Sequence, residues 1–334
     1  MRETICRMLL AALPLVAGTV QADEMERQAG TISFGTQSIM QYLLTPPHGP
    51  AIEYFLSKPD HPAPLVLYIQ GSGCTPVFTG LGTEHRASTV FSYLSTVKSG
   101  KYAVMVVNKP YSPKERVGDG GTATACPPAF NDYFTVENWV RDLRLAVGQA
   151  RRMPWVDARR TLVIGVSEGA TVAAALAAQD GGVSHVALLG ASGPTQLYDF
   201  IVAAYKSSSN DDDVTRRLDE LEATRRRIAA LPDSATEFAW GHPYKRWTSF
   251  FQTSSTVNLL HSQARIYLAS GMQDASVPIL STESMYSELL TSGHDVTMRR
   301  VPHAEHSLLP PDVSYEQLQP EYQRVLDWFD SPGQ

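Results

Sequence analysis

Cysteine is scarce in this sequence, with residues at 6, 74 and 126 alone, and the patterns that accompany metal sites are missing. There is no CxxC and no HExxH, and the one close histidine pair, His303 and His306, has no partner cluster nearby. No metal and no other cofactor is therefore expected. Basic tracts are also lacking: 28 Lys and Arg stand against 34 Asp and Glu, a net charge of −6. Phosphate contacts need clustered cations, so a nucleic-acid partner is not expected. Past residue 22 no stretch is apolar for long enough to cross a bilayer, and no internal repeat is visible.

What is present begins at the N-terminus. Arg2 and Arg7 supply positive charge, residues 8–20 are apolar and uncharged, and Val20-Gln21-Ala22 puts small side chains where a signal peptidase reads them. Residues 1–22 are expected to be a cleaved signal peptide, an uncleaved anchor being the alternative. Cleavage leaves a mature chain 23–334 of charge −7, in the periplasm or outside the cell. It also leaves two cysteines, Cys74 and Cys126, each following a predicted strand. In an oxidising compartment an even pair suggests one disulfide, with two buried free thiols as the other reading.

Short β-branched runs alternate with helical stretches, which predicts an α/β fold with a mostly parallel sheet covered on both faces. Residues 31–45 and 52–57 read as an antiparallel pair at the start. Core strands are expected at 65–70, 102–108, 161–166, 185–190, 265–270 and 296–301. Val136, Trp139, Val140, Leu143 and Val147 have helical spacing within 136–152, and 322–329 reads as a closing amphipathic helix. About seventy residues separate the strands ending near 190 and starting near 265, well beyond an ordinary connection. That stretch holds a charged helical segment and the aromatics Phe238, Trp240, Tyr244, Trp247, Phe250 and Phe251. A helical cap inserted at 195–262 is expected, its aromatics lining a pocket or forming the cap's own core; an ordinary crossover helix with a disordered acidic loop at 210–213 is the alternative.

Gly165-Val166-Ser167-Glu168-Gly169 fits G-x-S-x-G, a weak pattern by itself. Its setting raises its value, because it follows an apolar strand and opens an Ala-rich helix. Small residues two before and two after Ser167 let strand and helix approach while the turn lifts the hydroxyl clear. That hydroxyl needs a base to take its proton and a third group to hold the base. Asp274 and His306 follow in the order Ser…Asp…His, each in a loop just past a predicted core strand at the sheet edge of Ser167. His303 is the alternative base; Asp199 and Asp295 are alternative acids.

These segments resemble the α/β-hydrolase superfamily over essentially the whole mature chain. The elbow at Ser167, the G-x-x-D-x-x-V-P segment from Gly271 to Pro278 and the His306-Ser307-Leu308 triplet carry the likeness. Ser-Glu-Gly at the elbow looks most like the serine esterase and prolyl-oligopeptidase-like branch. The resemblance implies nucleophile Ser167, acid Asp274 and base His306, with an oxyanion held by the N–H groups of Glu168 and of Ser72 or Gly73. Gln70-Gly71-Ser72-Gly73 stands where members commonly have His-Gly-x, so Gln70 is a departure. The activity implied is hydrolysis of a small-molecule carboxylic ester through an acyl-enzyme. Peptidase, thioesterase or acyltransferase chemistry on the same fold is the alternative, and a non-catalytic binding protein on a hydrolase scaffold is a third reading.

Overall fold

The computed structural model describes residues 25–34, 37–81, 88, 94, 100–118 and 121–332. Residues 1–22, and with them the expected signal peptide, lie outside the described residues. The first strands form an antiparallel ribbon: β1 (Met25–Phe34), β2 (Gln37–Thr45) and β3 (Ile52–Ser57). The stretch 31–45, read from sequence as one strand, thus covers the end of β1 and all of β2. Both arms alternate with the same period, and a lone Gly35 is the one sequence signal of the reversal between them.

The parallel strands are β4 (Ala63–Ile69), β5 (Ala103–Val107), β6 (Val156–Val166), β7 (His185–Leu189), β10 (Arg265–Gly271) and β11 (Val296–Val301). Among the described residues they complete a nine-stranded sheet in the order β1-β2-β3-β5-β4-β6-β7-β10-β11. Every residue of β5 is buried, as is nearly every one of β4, β7 and β10, because helices cover both faces. The chain steps from β4 outward to β5, then returns to the other side of β4 for β6. At that reversal the loops after β4 and β6 part and open a crevice at the C-terminal edge of the sheet.

One face carries α1 (Pro128–Tyr133), α2 (Val136–Ala150), α3 (Glu168–Gln179) and later helices; its core includes Trp139, Leu143, Val147, Leu176 and Leu268. Thr135 caps α2 by accepting from the Asn138 N–H, and the spacing read from sequence is the stripe this helix buries. The opposite face packs on α9 (Gln319–Asp330) through Tyr322, Val325, Leu326 and Phe329.

Residues 195–262 hold α4 (Gln196–Ser207), α5 (Asp211–Ala230), the two-residue strands β8 (Phe238–Ala239) and β9 (His242–Pro243), α6 (Tyr244–Gln252) and α7 (Ser255–Leu260). Asn210 caps α5 from its own side chain, so the acidic run Asp211–Asp213 is the first turn of that helix, where negative charge meets the positive dipole end. Between β10 and β11 runs α8 (Ile279–Thr291), which sequence periodicity did not reveal.

Candidate active site

Ser167 lies between the last residue of β6 and the first of α3, at φ 55° and ψ −123°. A side chain pays for that left-handed backbone in strain, and the neighbours explain why it is held. A Cβ at Gly165 would run into the Gly169 backbone and the Ala173 methyl, and one at Gly169 into the carbonyl oxygens of Ile69 and Gln70. Strand and helix therefore touch backbone to backbone, and the Ser167 N–H is fixed on the Leu189 carbonyl at 2.8 Å.

The His306 imidazole meets this hydroxyl, with Nε2 2.9 Å from Ser167 Oγ and Nδ1 2.7 Å from Asp274 Oδ2. Asp274 is fully buried, and its Oδ1 accepts the N–H groups of Ser276 and Val277 at 2.8 Å each. One oxygen is thus anchored by the backbone while the other faces the ring. The ring has room because residue 190 is glycine: a Cβ there would stand 3.1 Å from His306 Cε1. The structure brings Ser167, Asp274 and His306 together in one line.

None of the alternatives takes part in this line. His303 is exposed. Asp295 precedes β11 at the opposite end of the sheet and pairs with Arg265 at 2.7 Å. Asp199, in the first turn of α4, is buried and accepts from the Ser192 hydroxyl. Burial pushes its carboxyl up to about 7, helped by the nearby Asp274 charge and opposed by the Ser192 hydrogen bond.

Ser72 and Ser167 share the wall of a cavity of about 760 Å³ with His306, Leu308, Leu318 and Tyr322. That volume suits a small molecule. Its described lining includes no residue of 195–262. Trp247 packs at 5.1 Å from Phe251 and 5.4 Å from Trp240, over Phe200 and Ile228, in a core of the insertion's own, while Phe250 stacks on Phe134 at 6.2 Å in the core beneath the sheet. Of the two readings of the aromatic cluster, the structure realises the hydrophobic core.

Cys74 and Cys126 are joined by a disulfide that ties the loop after β4 to the loop before α1. Between these loops lies a group that sequence reasoning missed. The Glu168 side chain was given no part, but it is buried between Lys109 and Arg246, with contacts of 2.8 and 2.7 Å. Burial alone would raise the Glu168 carboxyl; Lys109 and Arg246 outweigh it and hold it at about 2. Neither a single Lys after a strand nor an Arg inside a distant helix forms a pattern, so no sequence signal marked them. Among the described residues no cluster of His, Cys, Asp and Glu could hold a metal, and no helix is long and apolar enough to cross a membrane.

No family model matches the sequence, and no curated protein matches it. Solved structures do match, over nearly the whole chain. Acetyl xylan esterase 1 from a Thermoanaerobacterium species superposes with a TM-score of 0.58 at 13% identity, covering 91% of this chain and 88% of that one. The chain has the α/β-hydrolase fold. An acetyl xylan esterase from a Paenibacillus species gives the same TM-score, 0.58, at 14% identity over 92% of this chain and 90% of that one. Dipeptidyl peptidase 4 from Porphyromonas gingivalis matches at 15% identity and a TM-score of 0.55; 87% of this chain covers 35% of that longer protein. In this α/β-hydrolase fold the crevice at the strand-order reversal is the place for a ligand, and Ser167 stands in it.

Proposed function

We propose that this α/β-hydrolase chain is an exported serine esterase acting on a small-molecule carboxylic ester through an acyl-enzyme. The observation that carries the reading is the continuous hydrogen-bond line from Ser167 Oγ through His306 to the anchored carboxylate of Asp274, opening on the cavity. His306 Nε2 takes the hydroxyl proton as Ser167 attacks the carbonyl carbon, and Asp274 holds the ring in the tautomer that leaves Nε2 free. The alkoxide of the tetrahedral intermediate is met by the backbone N–H of Glu168, at the first position of α3, where no intrahelical acceptor competes, and by that of Ser72. His306 returns the proton to the leaving alcohol. Water, activated by the same imidazole, then releases the acid.

An ester is favoured because solved structures of the same fold carry that activity in their names, acetyl xylan esterases among them. Export rests on the charge and apolar pattern of residues 1–22, and the disulfide is in keeping with an oxidising compartment. The mature chain 23–334 is one hydrolase domain, with 195–262 as an insertion within it.

Labelling with a fluorophosphonate probe, beside turnover of p-nitrophenyl esters of rising chain length and of aminoacyl-anilides, tests the proposal. The wild type is expected to label at Ser167 and to cleave a short ester, and Ser167→Ala to do neither. An unlabelled, inactive wild type in folded form would favour the binding-protein reading, and anilide turnover without ester turnover would favour a peptidase.

A further inference from the structure

Lys109 follows β5 and is 1% exposed. Its three ammonium protons have three acceptors: the Gly71 carbonyl at 2.7 Å, the Gly73 carbonyl at 3.0 Å and Glu168 Oε1 at 2.8 Å. The other oxygen of Glu168 accepts Nε and Nη2 of Arg246 at 3.0 and 2.7 Å. Two buried cations share one carboxylate, and the Ser167–His306–Asp274 line uses none of them. Such groups are expensive to desolvate, so net stability is a weak reason for their presence.

Their geometry supplies a better one. In a trans peptide the C=O and the following N–H point to opposite sides, and the described chain has no cis peptide. Lys109 holds the Gly71 carbonyl, which turns the Ser72 N–H away from the ammonium. Gly71 itself lies against the nucleophile: a Cβ there would stand 3.4 Å from Ser167 Cβ. Ser72 lines the cavity that Ser167 opens on. The same ammonium grips the side chain of Glu168, whose N–H is the other donor.

We propose that Lys109 is the positioning residue of the oxyanion hole, one buried ammonium bracing both backbone donors, an inference that rests on the serine-hydrolase reading above. Arg246 steadies the shared carboxylate from α6, and the Cys74–Cys126 bond restrains the same loop immediately past Gly73. The three-way grip needs a tetrahedral cation at this point, which a planar guanidinium does not reproduce.

The test compares wild type with Lys109→Met in kcat and KM for p-nitrophenyl acetate, and in Ki for an alkyl trifluoromethyl ketone. Ser167 Oγ adds to that ketone carbon, its proton passes to His306, and the carbonyl oxygen becomes an alkoxide seated in the hole. Lys109→Met is expected to lower kcat about 10²-fold and raise Ki by a similar factor, with KM changed less than about threefold. A folded K109M with kcat and Ki near wild type, or with a loss confined to KM, overturns the proposal. Should K109M fail to fold, Lys109→Arg serves: kcat is expected to fall tenfold or more, and wild-type kcat overturns the assignment. A wild type that fluorophosphonate does not label would instead remove the hydrolase reading itself, a result that does not depend on Lys109.

Discussion

Asp274 faces His306 Nδ1 at 2.7 Å with one carboxylate oxygen while the other is fixed by the N–H groups of Ser276 and Val277. An Asn at 274 can keep those two backbone bonds only by turning its amide NH₂ toward the ring, which then presents the wrong tautomer to Ser167. Asp274→Asn is expected to lower kcat by about 10³–10⁴-fold with little change in KM. Steady-state kinetics on a p-nitrophenyl ester, with far-UV circular dichroism to verify folding, checks this.

Asp199 gives the pH dependence of stability a definite sign. Its folded carboxyl, pushed up by burial to about 7, titrates above its unfolded value of 3.8. Between those values the folded state binds more protons, so stability falls as pH rises from about 4 to about 7 and then levels. Asp199→Asn removes this slope. Denaturant unfolding at pH 5 and pH 8 is expected to show the variant gaining on wild type at the higher pH, by about 2–3 kcal/mol. Equal differences at the two pH values would contradict it.

The disulfide spans 52 residues. Closing a loop of that length in the unfolded chain is worth about 4 kcal/mol on the chain-entropy model. Cys74→Ala/Cys126→Ala is expected to lose about 2–4 kcal/mol in denaturant unfolding. Non-reducing peptide mapping of the wild type should recover the two cysteines on linked peptides.

Trp247 and Leu318 separate packing from substrate fit. Trp247 is 5% exposed within the insertion's own core, and Leu318 lines the cavity. Trp247→Ala is expected to cost about 3 kcal/mol of stability and leave the ester chain-length preference as it was. Leu318→Ala should shift that preference several-fold toward longer acyl or alcohol groups. A chain-length series on both variants, with melting curves, decides between these roles.

Much of this was legible in the sequence because it is local. The strand 296–301 was read with its true ends, and the stripe of Val136, Trp139, Val140, Leu143 and Val147 is the buried face of α2. The helix α8 was not, because its buried residues Ser281, Thr282, Met285 and Leu289 are half polar and form no apolar stripe. The aromatics from Phe238 to Phe251 could be named but not aimed. Whether they line a cavity or one another depends on how the insertion folds back on itself.

The sequence by itself determined the elbow, the order Ser167, Asp274, His306, and the strands whose ends carry them. Each of these is written in a short window, by periodicity, glycine placement or a loop after an apolar run. Only the tertiary structure chose His306 over His303 for contact with Ser167, joined Cys74 to Cys126, and buried Glu168 between Lys109 and Arg246. Those decisions join residues 52 to 139 positions apart. The reason is physical: a buried charge is tolerated only where partners converge on it, and that convergence is a property of packing between distant segments.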